Sequence, residues 1–397
     1  TDLPVPAFVA APRESVDEPG AVAWCDALAA GLRPAPLAAG PDDLAVMPYT
    51  SGTTGHPKGC MHTHRSVMYN TVAGTQWLNT QQDAVTLVVL PLFHVTAMQG
   101  GMNGSLYAGA TIVLLPRWDR DAAAQLIGRY RVTGTQMIVT MVVDLLSNPR
   151  LGEYDFSSIR RLSGGGAAMP DAVATRLKEL GNLDYIEGYG MSETMAATHI
   201  NPPQRPMKQC LGIPTFDVDA RVVDPATLAE LPPGEGGEII VHGPQVMQGY
   251  WGQPEATAAA FVTLDGKRFL RTGDLARTDG HGYFYMVDRL KRMINASGFK
   301  VWPAEVEALM YAHPAIQEVC VIAARDARRG ETVKAVVVLR EAFRGKVTEQ
   351  EIADWAHGHM AAYKSPRLVQ FVDTLPKSGT GKVQWRALQD GEATAAP

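Results

Sequence analysis

One stretch near the start of the chain has the residue types of a loop that binds a polyphosphate: Tyr49-Thr50-Ser51-Gly52-Thr53-Thr54-Gly55-His56-Pro57-Lys58-Gly59. Its glycines let the backbone turn tightly and present N–H groups, and its hydroxyl side chains add donors to an anion. It is not a Walker loop, because Gly-x-x-x-x-Gly-Lys-Ser/Thr is absent. The alternative is an ordinary solvated turn. The apolar run at 44–47 predicts a buried strand that leads into the loop.

Two further glycine-containing turns follow predicted strands, at Gly164-Gly165-Gly166-Ala167-Ala168 and at Tyr189-Gly190-Met191-Ser192-Glu193-Thr194. In a parallel sheet both turns lie at the C-terminal edge, where α/β proteins bind ligands. There an aromatic ring can stack on a flat base, a hydroxyl can contact a phosphate, and a carboxylate can hold Mg²⁺. Plain strand–helix turns, a core Tyr189 and a helix-start Glu193 stay open as alternatives.

Four more polar positions are weak signals when each is taken alone. Asp274 follows a strand beside a glycine and could accept two ribose hydroxyls, whereas a turn aspartate is the plainer interpretation. Asp288-Arg289-Leu290-Lys291 could be a solvated charge run. Lys382 stands on a glycine loop, where its long stem could carry a positive charge to a phosphate, or it could simply be a surface residue. His94 could be a core histidine.

The elements that must position these residues change character along the chain. Up to about residue 211, short apolar strands alternate with helices at 63–75, 120–130 and 170–180, which predicts βαβ units and a mostly parallel sheet. One of these strands is predicted over 136–139. From about residue 212, short strands separated by turns predict a small antiparallel β subdomain. From about residue 291, two helices and two strands predict a compact α+β unit.

Composition excludes several classes of protein. The 397 residues suggest two or three domains, and the net charge of −5 gives no attraction to nucleic acid. No apolar run approaches the about 20 residues that span a membrane, and no signal peptide is evident. The four cysteines are dispersed, which fits a reducing cytosol and argues against a zinc site. We therefore expect a cytoplasmic protein without a transmembrane segment.

Taken in this order, the motifs resemble those of the adenylate-forming superfamily from about residue 44 to 388, and most of all its fatty-acyl or aryl carboxylate–CoA ligase branch. The resemblance implies that ATP, Mg²⁺ and CoA take part in a two-step reaction. A carboxylate attacks the α-phosphate of ATP and expels pyrophosphate. The CoA thiol then attacks the acyl-adenylate carbonyl and expels AMP.

The resemblance also implies a role for each candidate residue. The phosphates of ATP would be held by Thr50, Ser51, Gly52, Thr53, Thr54, Gly55, Lys58 and Ser192. The adenine would be framed by Gly165, Gly166, Gly188, Tyr189 and Gly190. Glu193 would be the Mg²⁺ ligand, Asp274 would bind the ribose with Arg289 beside it, and His94 would line the acyl channel. Lys382 would bridge the carboxylate and the α-phosphate as negative charge develops there.

The same family rotates its C-terminal domain between the two half-reactions. Lys291 stands at the hinge position, which agrees with hinges being a few residues at an element boundary. After the rotation, the pantetheine tunnel would be lined by Asn295, Ser297, Gly298 and Phe299. The resemblance therefore divides the chain into a linker-like remnant of a truncated N-terminal region (1–43), an α/β ATP- and acyl-binding subdomain (44–211), a small β subdomain (212–290) and a mobile C-terminal α+β lid (291–397).

The first 43 residues depart from the family pattern, which has a sizeable subdomain before the phosphate loop. Because Thr1 is not an initiator Met, we expect the chain to begin inside a larger protein or to be trimmed. This makes a non-catalytic nucleotide-binding fragment one alternative function. An adenylation module that loads the phosphopantetheine of a carrier protein is another, since the motifs do not separate it from a CoA ligase.

The expected substrate is a fatty or similarly apolar acid. Amino-acid-activating members of the family carry an aspartate at the start of the His94 motif, and Phe93 occupies that region here. The acyl-lining candidates are apolar or small, which suits an uncharged acyl group: Val95, Thr96, Ala97, Met98, Gly100 and Gly101. A homo-oligomer is possible, and the individual acid is not predicted.

Overall fold

A computed structural model of the chain describes residues 29–31, 36, 38–50, 57–166, 168–289, 292–296, 299–326, 330–378 and 383–395. Residues 1–41 and 42–397 form two compact units, and almost all of the described residues belong to the second. Among the residues described, every helix is too short or too polar to cross a bilayer.

A short antiparallel ladder lies on either side of the predicted phosphate loop. Strand β1 (Leu44–Val46) pairs with β2 (His62–Thr63), and the Thr50 amide donates to the Lys58 carbonyl at 2.9 Å. Residues 59–61, which follow the loop, also pair with residues 247–251. The Trp251 amide donates to the Gly59 carbonyl at 2.9 Å, and Cys60 forms an antiparallel β-bridge with Tyr250. Cys60 is completely buried in this ladder. The backbone on both sides of residues 51–56 is therefore held in place.

The largest sheet has seven strands, of which the first five in space are parallel. Its strands in chain order are β3 (Val85–Val88), β4 (Thr111–Leu114), β5 (Gly134–Gln136), β6 (Arg161–Gly165), β7 (Tyr185–Met191), β8 (Ala196–Ile200) and β9 (Ile213–Pro214). In space their order is β4-β3-β5-β6-β7-β8-β9, and the last two pairs are antiparallel. The prediction of a mostly parallel βα sheet is confirmed.

Five helices and one π-helical segment, Ala97–Asn103, connect these strands. The helices are α1 (His64–Trp77), α2 (Gly104–Ala108), α3 (Arg120–Tyr130), α4 (Val139–Leu146) and α5 (Asp171–Gly181). Thr63 is the N-cap of helix α1, and its side chain accepts the Ser66 amide at 3.2 Å. The strand predicted over 136–139 is wrong, because β5 ends at Gln136 and Val139 begins α4. Periodicity cannot separate a short buried strand from a buried helix.

The two faces of the parallel sheet differ in polarity. Alternate side chains of a strand point to opposite faces. Leu87 and Leu162 belong to an apolar core with Ile127 of α3, Val142 of α4 and Leu177 of α5. The opposite face lies against α1 and the π-helical segment. Two rows of paired residues cross that face, Thr86–Gly134–Arg161 and Val88–Gln136–Ser163, and they carry most of its polar side chains.

The second sheet is antiparallel and has five strands. They are β10 (Asp219–Val223), β11 (Gly237–His242), β12 (Phe261–Leu264), β13 (Lys267–Thr278) and β14 (Phe284–Arg289), and helix α6 (Pro254–Ala260) precedes β12. The spatial order is β10-β11-β13-β12, with β14 also paired to β13. Ile239, Val241 and Leu270 are completely buried between this sheet and its neighbours. The predicted small antiparallel β unit is confirmed.

The C-terminal part is an α+β unit with its own core. Its strands are β15 (Ile294–Ala296), β16 (Phe299–Val301), β17 (Ile316–Asp326), β18 (Gly330–Leu339) and β19 (Leu368–Phe371), and its helices are α7 (Pro303–Met310), α8 (Glu349–His359) and α9 (Trp385–Ala395). Helix α8 begins with a capping box between Thr348 and Glu351. Buried Cys320 lies on β17. The α+β architecture is confirmed, whereas the mobility of this part and the four-segment division of the chain stay predictions.

Candidate active site

A cavity of about 600 Å³ brings together residues of the seven-stranded sheet, the five-stranded sheet and the C-terminal part. The candidate residues that line it are Thr50, Lys58, His94, Gly165, Gly166, Gly188, Tyr189, Gly190, Ser192, Glu193 and Asp274. Ser378 and Trp385 of the C-terminal part line it as well. Positions that are more than 200 residues apart in the chain, such as Thr50 and Asp274, therefore face one space.

Several candidates lie outside the described residues, namely Ser51, Gly52, Thr53, Thr54, Gly55, Lys291, Ser297, Gly298 and Lys382. For Arg289 and Phe299 the structure describes the backbone alone, and Arg289 pairs with Asp274 across β13 and β14. Asn295 is exposed on β15, where its amide donates to Glu331 at 2.7 Å. The predicted CoA-side residues are thus described only in part.

The floor of the cavity depends on glycines that neighbouring backbone approaches closely. A Cβ built on Gly165 would lie 2.2 Å from the Gly188 carbonyl oxygen, and one built on Gly190 would lie 1.7 Å from the Ala196 carbonyl oxygen. No side chain can occupy such a space without moving the backbone of the adjacent strand. The result is a flat surface at the ends of β6 and β7, against which a planar ring can lie.

Tyr189 and Asp274 join the two large sheets at the edge of this surface. The Tyr189 hydroxyl donates to the Asp274 carboxylate at 2.8 Å, and Asp274 is only 4% exposed. Asp274 lies inside β13, where the pairing with β11 is irregular, and the Thr272 hydroxyl oxygen accepts the Asp274 amide at 3.1 Å. The Tyr189 ring meets His199 edge-on, with centroids 5.6 Å apart. The carboxylate is therefore held in one orientation before any ligand arrives.

Tyr250 lies between the two charged groups at the other side of the cavity. Its hydroxyl donates to the Glu193 carboxylate at 2.8 Å, and the Lys58 ammonium lies 4.8 Å from the centroid of its ring. Burial, together with the negative charge of Glu193, raises the pKa of Tyr250, so the phenol keeps its proton. The sequence gives no motif for Tyr250, because its role depends on the ladder that pairs 247–251 with 59–61.

Glu193 sits in a short 3₁₀ turn, Ser192–Thr194, whose backbone is tied on three sides. The Thr194 hydroxyl oxygen accepts the Met191 amide at 3.0 Å, and the Glu193 carbonyl accepts the Met247 amide at 2.8 Å. His62 contacts the Ser192 carbonyl through Nε2 at 2.7 Å. Burial lowers the pKa of His62 to about 4, so the ring is neutral, and Nε2 carries the hydrogen that this carbonyl requires. His62 was also missed from the sequence.

His94 begins the part of the cavity that extends away from the glycine surface. Its Nδ1 accepts the Thr96 amide at 3.3 Å. Of the acyl-lining candidates, Val95, Thr96 and Gly100 line the cavity, whereas Ala97 belongs to the apolar core and Gly101 packs on Val88. The expectation of apolar or small surroundings is incomplete, because Thr86, Gln99, Gln136 and Ser163 line the same space. These polar residues come from strands and a helical segment that only the fold brings together.

A protein-built metal centre is not found in the part of the chain that the structure describes. No three side chains of the types His, Cys, Asp and Glu gather there in a group that could hold an ion. The cavity instead presents the Glu193 carboxylate opposite Lys58. A magnesium ion that keeps several waters and binds through one or two carboxylates plus substrate phosphates suits such a site.

Family models match most of the chain. The model described as "AMP-binding enzyme" matches residues 6–251, and the one described as "AMP-binding enzyme C-terminal domain" matches residues 305–382. A long-chain-fatty-acid–CoA ligase of Bacillus subtilis is 39% identical over 353 residues, which cover 88% of this chain and 62% of that protein. A feruloyl-CoA synthase of an Amycolatopsis species is also 39% identical, over 89% of this chain and 71% of its own length. The chain thus spans less than two thirds of the Bacillus protein.

Solved structures resemble the fold closely. ATP-bound MatB from Rhodopseudomonas palustris superposes with a TM-score of 0.83 at 33% identity, covering 90% of this chain and 70% of its own. The anthranilate CoA ligase AuaEII in complex with anthranoyl-AMP has a TM-score of 0.81 at 29% identity, over 90% of this chain and 69% of its own. The similarity therefore extends over both large sheets and the C-terminal part.

Proposed function

This chain belongs to the AMP-binding enzyme family, and from that premise we propose that it is an ATP-dependent carboxylate–CoA ligase. It forms an acyl-adenylate, releases pyrophosphate, and then transfers the acyl group to CoA with release of AMP. The observation that carries the proposal is that Thr50, Glu193 and Asp274 line a single cavity of about 600 Å³.

The nucleoside of ATP binds at the glycine surface. The adenine lies against Gly165, Gly166, Gly188, Tyr189 and Gly190. At Gly165 and Gly190, neighbouring backbone leaves no room for a Cβ. Asp274 accepts the ribose hydroxyls, and its bond from Tyr189 at 2.8 Å keeps the carboxylate turned toward them. Arg289 lies beside it on the paired strand. This prior ordering lowers the entropy that binding must offset.

The phosphates and Mg²⁺ bind between Lys58 and Glu193. Glu193 would hold Mg²⁺, which would supply positive charge against the phosphates. The Tyr250 hydroxyl at 2.8 Å orients that carboxylate. Thr50, Ser51, Gly52, Thr53, Thr54, Gly55, Lys58 and Ser192 donate to the phosphate oxygens. Positioning and charge stabilisation, rather than covalent chemistry by the protein, provide the rate.

The C-terminal part completes each half-reaction. Lys382 bridges the acid and the α-phosphate during adenylation, and Ser378 and Trp385 from the same region line the cavity. Lys291 is the hinge, and Asn295, Ser297, Gly298 and Phe299 line the path of the CoA thiol after rotation. His94 lies at the entrance to the acyl part of the cavity. The proposal extends to three predictions made from the sequence. The chain is divided into the four segments 1–43, 44–211, 212–290 and 291–397, the protein acts in the cytoplasm, and it can form a homo-oligomer.

Pyrophosphate release tests the proposal. The protein is incubated with Mg·ATP and a panel of carboxylic acids, first alone and then with CoA or with a holo carrier protein. We expect acid-dependent pyrophosphate release and thioester formed with CoA. Thioester formed with the carrier protein alone would favour the carrier-loading alternative. ATP binding by calorimetry without pyrophosphate release from any acid would favour a non-catalytic nucleotide-binding protein.

Lys382→Ala separates chemistry from binding. We expect it to lower the rate of adenylation about a hundredfold, the loss typical of one charge-stabilising donor, with the dissociation constant of ATP unchanged. Lys377→Ala is the matched control, because that lysine of the same segment pairs with Glu318 at 2.7 Å. Equal losses of ATP binding and of rate in Lys382→Ala would contradict the proposed role.

A further inference from the structure

The acyl half of the cavity has a polar wall where a parallel sheet is expected to be apolar. Parallel strands covered on both faces are normally rich in Val, Ile and Leu. Here Thr86 of β3, Gln136 of β5 and Ser163 of β6 lie on the face opposite Leu87 and Leu162 and line the cavity. Gln99 of the π-helical segment faces the same space. A plain alkyl chain bound here would leave these polar groups without a partner, although apolar Leu90, Val95 and Ile138 line the same cavity.

Each of these four side chains has a buried polar atom with no hydrogen-bond partner in the part of the chain that the structure describes. The atoms are Thr86 Oγ1, Gln99 Nε2, Gln136 Oε1 and Ser163 Oγ. Thr86 and Gln99 are 3% exposed and Ser163 is 4% exposed, so protein encloses almost all of each side chain. Burying a polar group without a partner is unfavourable, and native proteins seldom do it without a reason.

The two glutamines are held at their positions by neighbouring residues. Gln99 Oε1 accepts the Thr71 hydroxyl at 2.7 Å, which leaves Nε2 as the donor still to be used. The Gln136 amide lies against Gly100, where a Cβ would be 2.4 Å from Nε2. Glycine at position 100 therefore makes the room that the Gln136 amide occupies. Both amides are built into the wall of the cavity.

Arg161, the charged residue of this wall, is already in use. Its Nη1 donates to the Leu78 carbonyl and to the Thr80 hydroxyl, each at 2.9 Å. Leu78 is the C-cap of α1, a helix with no basic residue in its last turn, so the guanidinium complements the negative end of that helix. Arg161 therefore gives no reason to expect a second carboxylate on the substrate.

We infer that the acid activated here carries a hydroxyl group in its acyl part, an inference that rests on the proposed function. A hydroxyl both donates and accepts, so it can pair with the Gln136 oxygen and with the Gln99 Nε2 donor. Thr86 and Ser163 complete the set by rotation of their own hydroxyls. From the strand rise, the Gln136–Ser163 row lies about 7 Å and the Thr86 row about 13 Å from Gly165. The hydroxyl is thus far along the acyl chain or on an aryl ring.

Matched acids test this inference. Pyrophosphate release is measured with octanoic acid and its ω-hydroxy derivative, and with phenylpropanoic acid and its para-hydroxy derivative. We expect kcat/KM to be about tenfold higher for one or both hydroxy acids, near the upper value of one satisfied neutral hydrogen bond. Equal or higher kcat/KM for both unsubstituted acids would overturn the inference and leave the proposed function standing. No pyrophosphate from any acid would refute the proposed function itself.

Gln136→Leu and Thr86→Val test whether the wall causes the preference. Each removes an unpartnered polar atom at nearly constant volume, so each should reduce the ratio of hydroxy to unsubstituted acid several-fold without lowering the melting temperature. Thr135→Val is the matched control, because the Thr135 hydroxyl already donates to the Leu87 carbonyl at 2.9 Å. It should leave the ratio unchanged. An unchanged ratio in both test variants would exclude the wall as its cause.

Discussion

The two ends of the cavity treat polar groups in opposite ways. At the glycine surface the polar side chains already hold one another, as in the bonds from Tyr189 to Asp274 and from Tyr250 to Glu193, both 2.8 Å long. Along the acyl wall, Gln136 and Ser163 keep polar atoms without partners among the described residues. The first end is ordered in advance for one ligand. The second is completed only by the acid, which makes it the place where specificity is decided.

Replacing one glycine by alanine at each end of the cavity should give the largest difference in the free energy of unfolding. Gly165→Ala drives a Cβ to 2.2 Å from backbone, the Gly188 carbonyl, and should lower the free energy of unfolding by about 3 kcal/mol or more. Gly100→Ala meets only the amide of Gln136, which can swing away, and should cost about 1 kcal/mol. Urea unfolding measures both, and similar losses would show that the acyl wall is as rigid as the glycine surface.

Glu187 should make the stability of the nucleotide end depend on pH. Burial raises the pKa of this carboxyl to about 8, although the Gln209 amide donates to it at 2.9 Å. Between pH 4.5, the ordinary pKa of a glutamate carboxyl, and about pH 8, the folded state keeps a proton that the unfolded state has already released. The free energy of unfolding therefore falls as pH rises through this window, by about 1.4 kcal/mol per unit.

Glu187→Gln is expected to remove that slope, because an amide does not titrate. Guanidinium unfolding at several pH values inside the window compares the variant with the parent protein. The parallel variant Gln136→Leu at the acyl end should keep the slope of the parent. A Glu187→Gln protein whose stability still fell by the same amount per unit would place the titration on another group.

Tyr250→Phe should change the Mg²⁺ requirement at the nucleotide end and leave the acyl end unaffected. The variant keeps the ring beside Lys58 and loses the hydroxyl that holds Glu193. We expect the Mg²⁺ concentration for half-maximal rate to rise about tenfold, the lower value for the loss of one hydrogen bond to a charged group, with the KM of the acid unchanged. A change in the KM of the acid with no change in the Mg²⁺ requirement would contradict this role for Tyr250.

Gly74→Ala should give the smallest effect, and a stabilising one. Gly74 lies inside α1 and lines the acyl half of the cavity, and no atom lies within 4 Å of a Cβ built on it. Replacing a glycine in a helix by alanine should raise the free energy of unfolding by about 0.5–1 kcal/mol. Thermal unfolding measures the gain. A loss would mean that the acyl half has less room than this geometry indicates.

Much of the fold could be predicted because the signals are local. Helix α3 at Arg120–Tyr130 has the predicted bounds, since it is a clear periodic run between turn residues. The glycine turns and Asp274 were found in the same way, and the structure brings their described members into one cavity. The segment 136–139 failed because the competition between strand and helix is decided there by packing.

The residues that support the site could not be predicted, because their partners are distant in the chain. Tyr250 is 57 positions from Glu193, and His62 is 130 positions from Ser192. The polar wall, however, could have been predicted from the sequence of two strands. In the strands at 85–88 and 161–165, polar Thr86, Arg161 and Ser163 alternate with apolar residues, a period-two pattern that predicts two unlike faces.

The three cysteines in the described part of the chain are natural reporters of local opening. Cys60 lies in the ladder beside the phosphate loop, Cys210 contacts the Phe284 carbonyl near the five-stranded sheet, and Cys320 lies on β17. All three are buried, and burial raises the pKa of each thiol, to about 11 for Cys210. A thiolate reagent can therefore label each one only when its surroundings part. Labelling rates compared among the three cysteines would show whether the part that carries Cys60 and Cys210 opens together with the C-terminal part that carries Cys320 or independently of it.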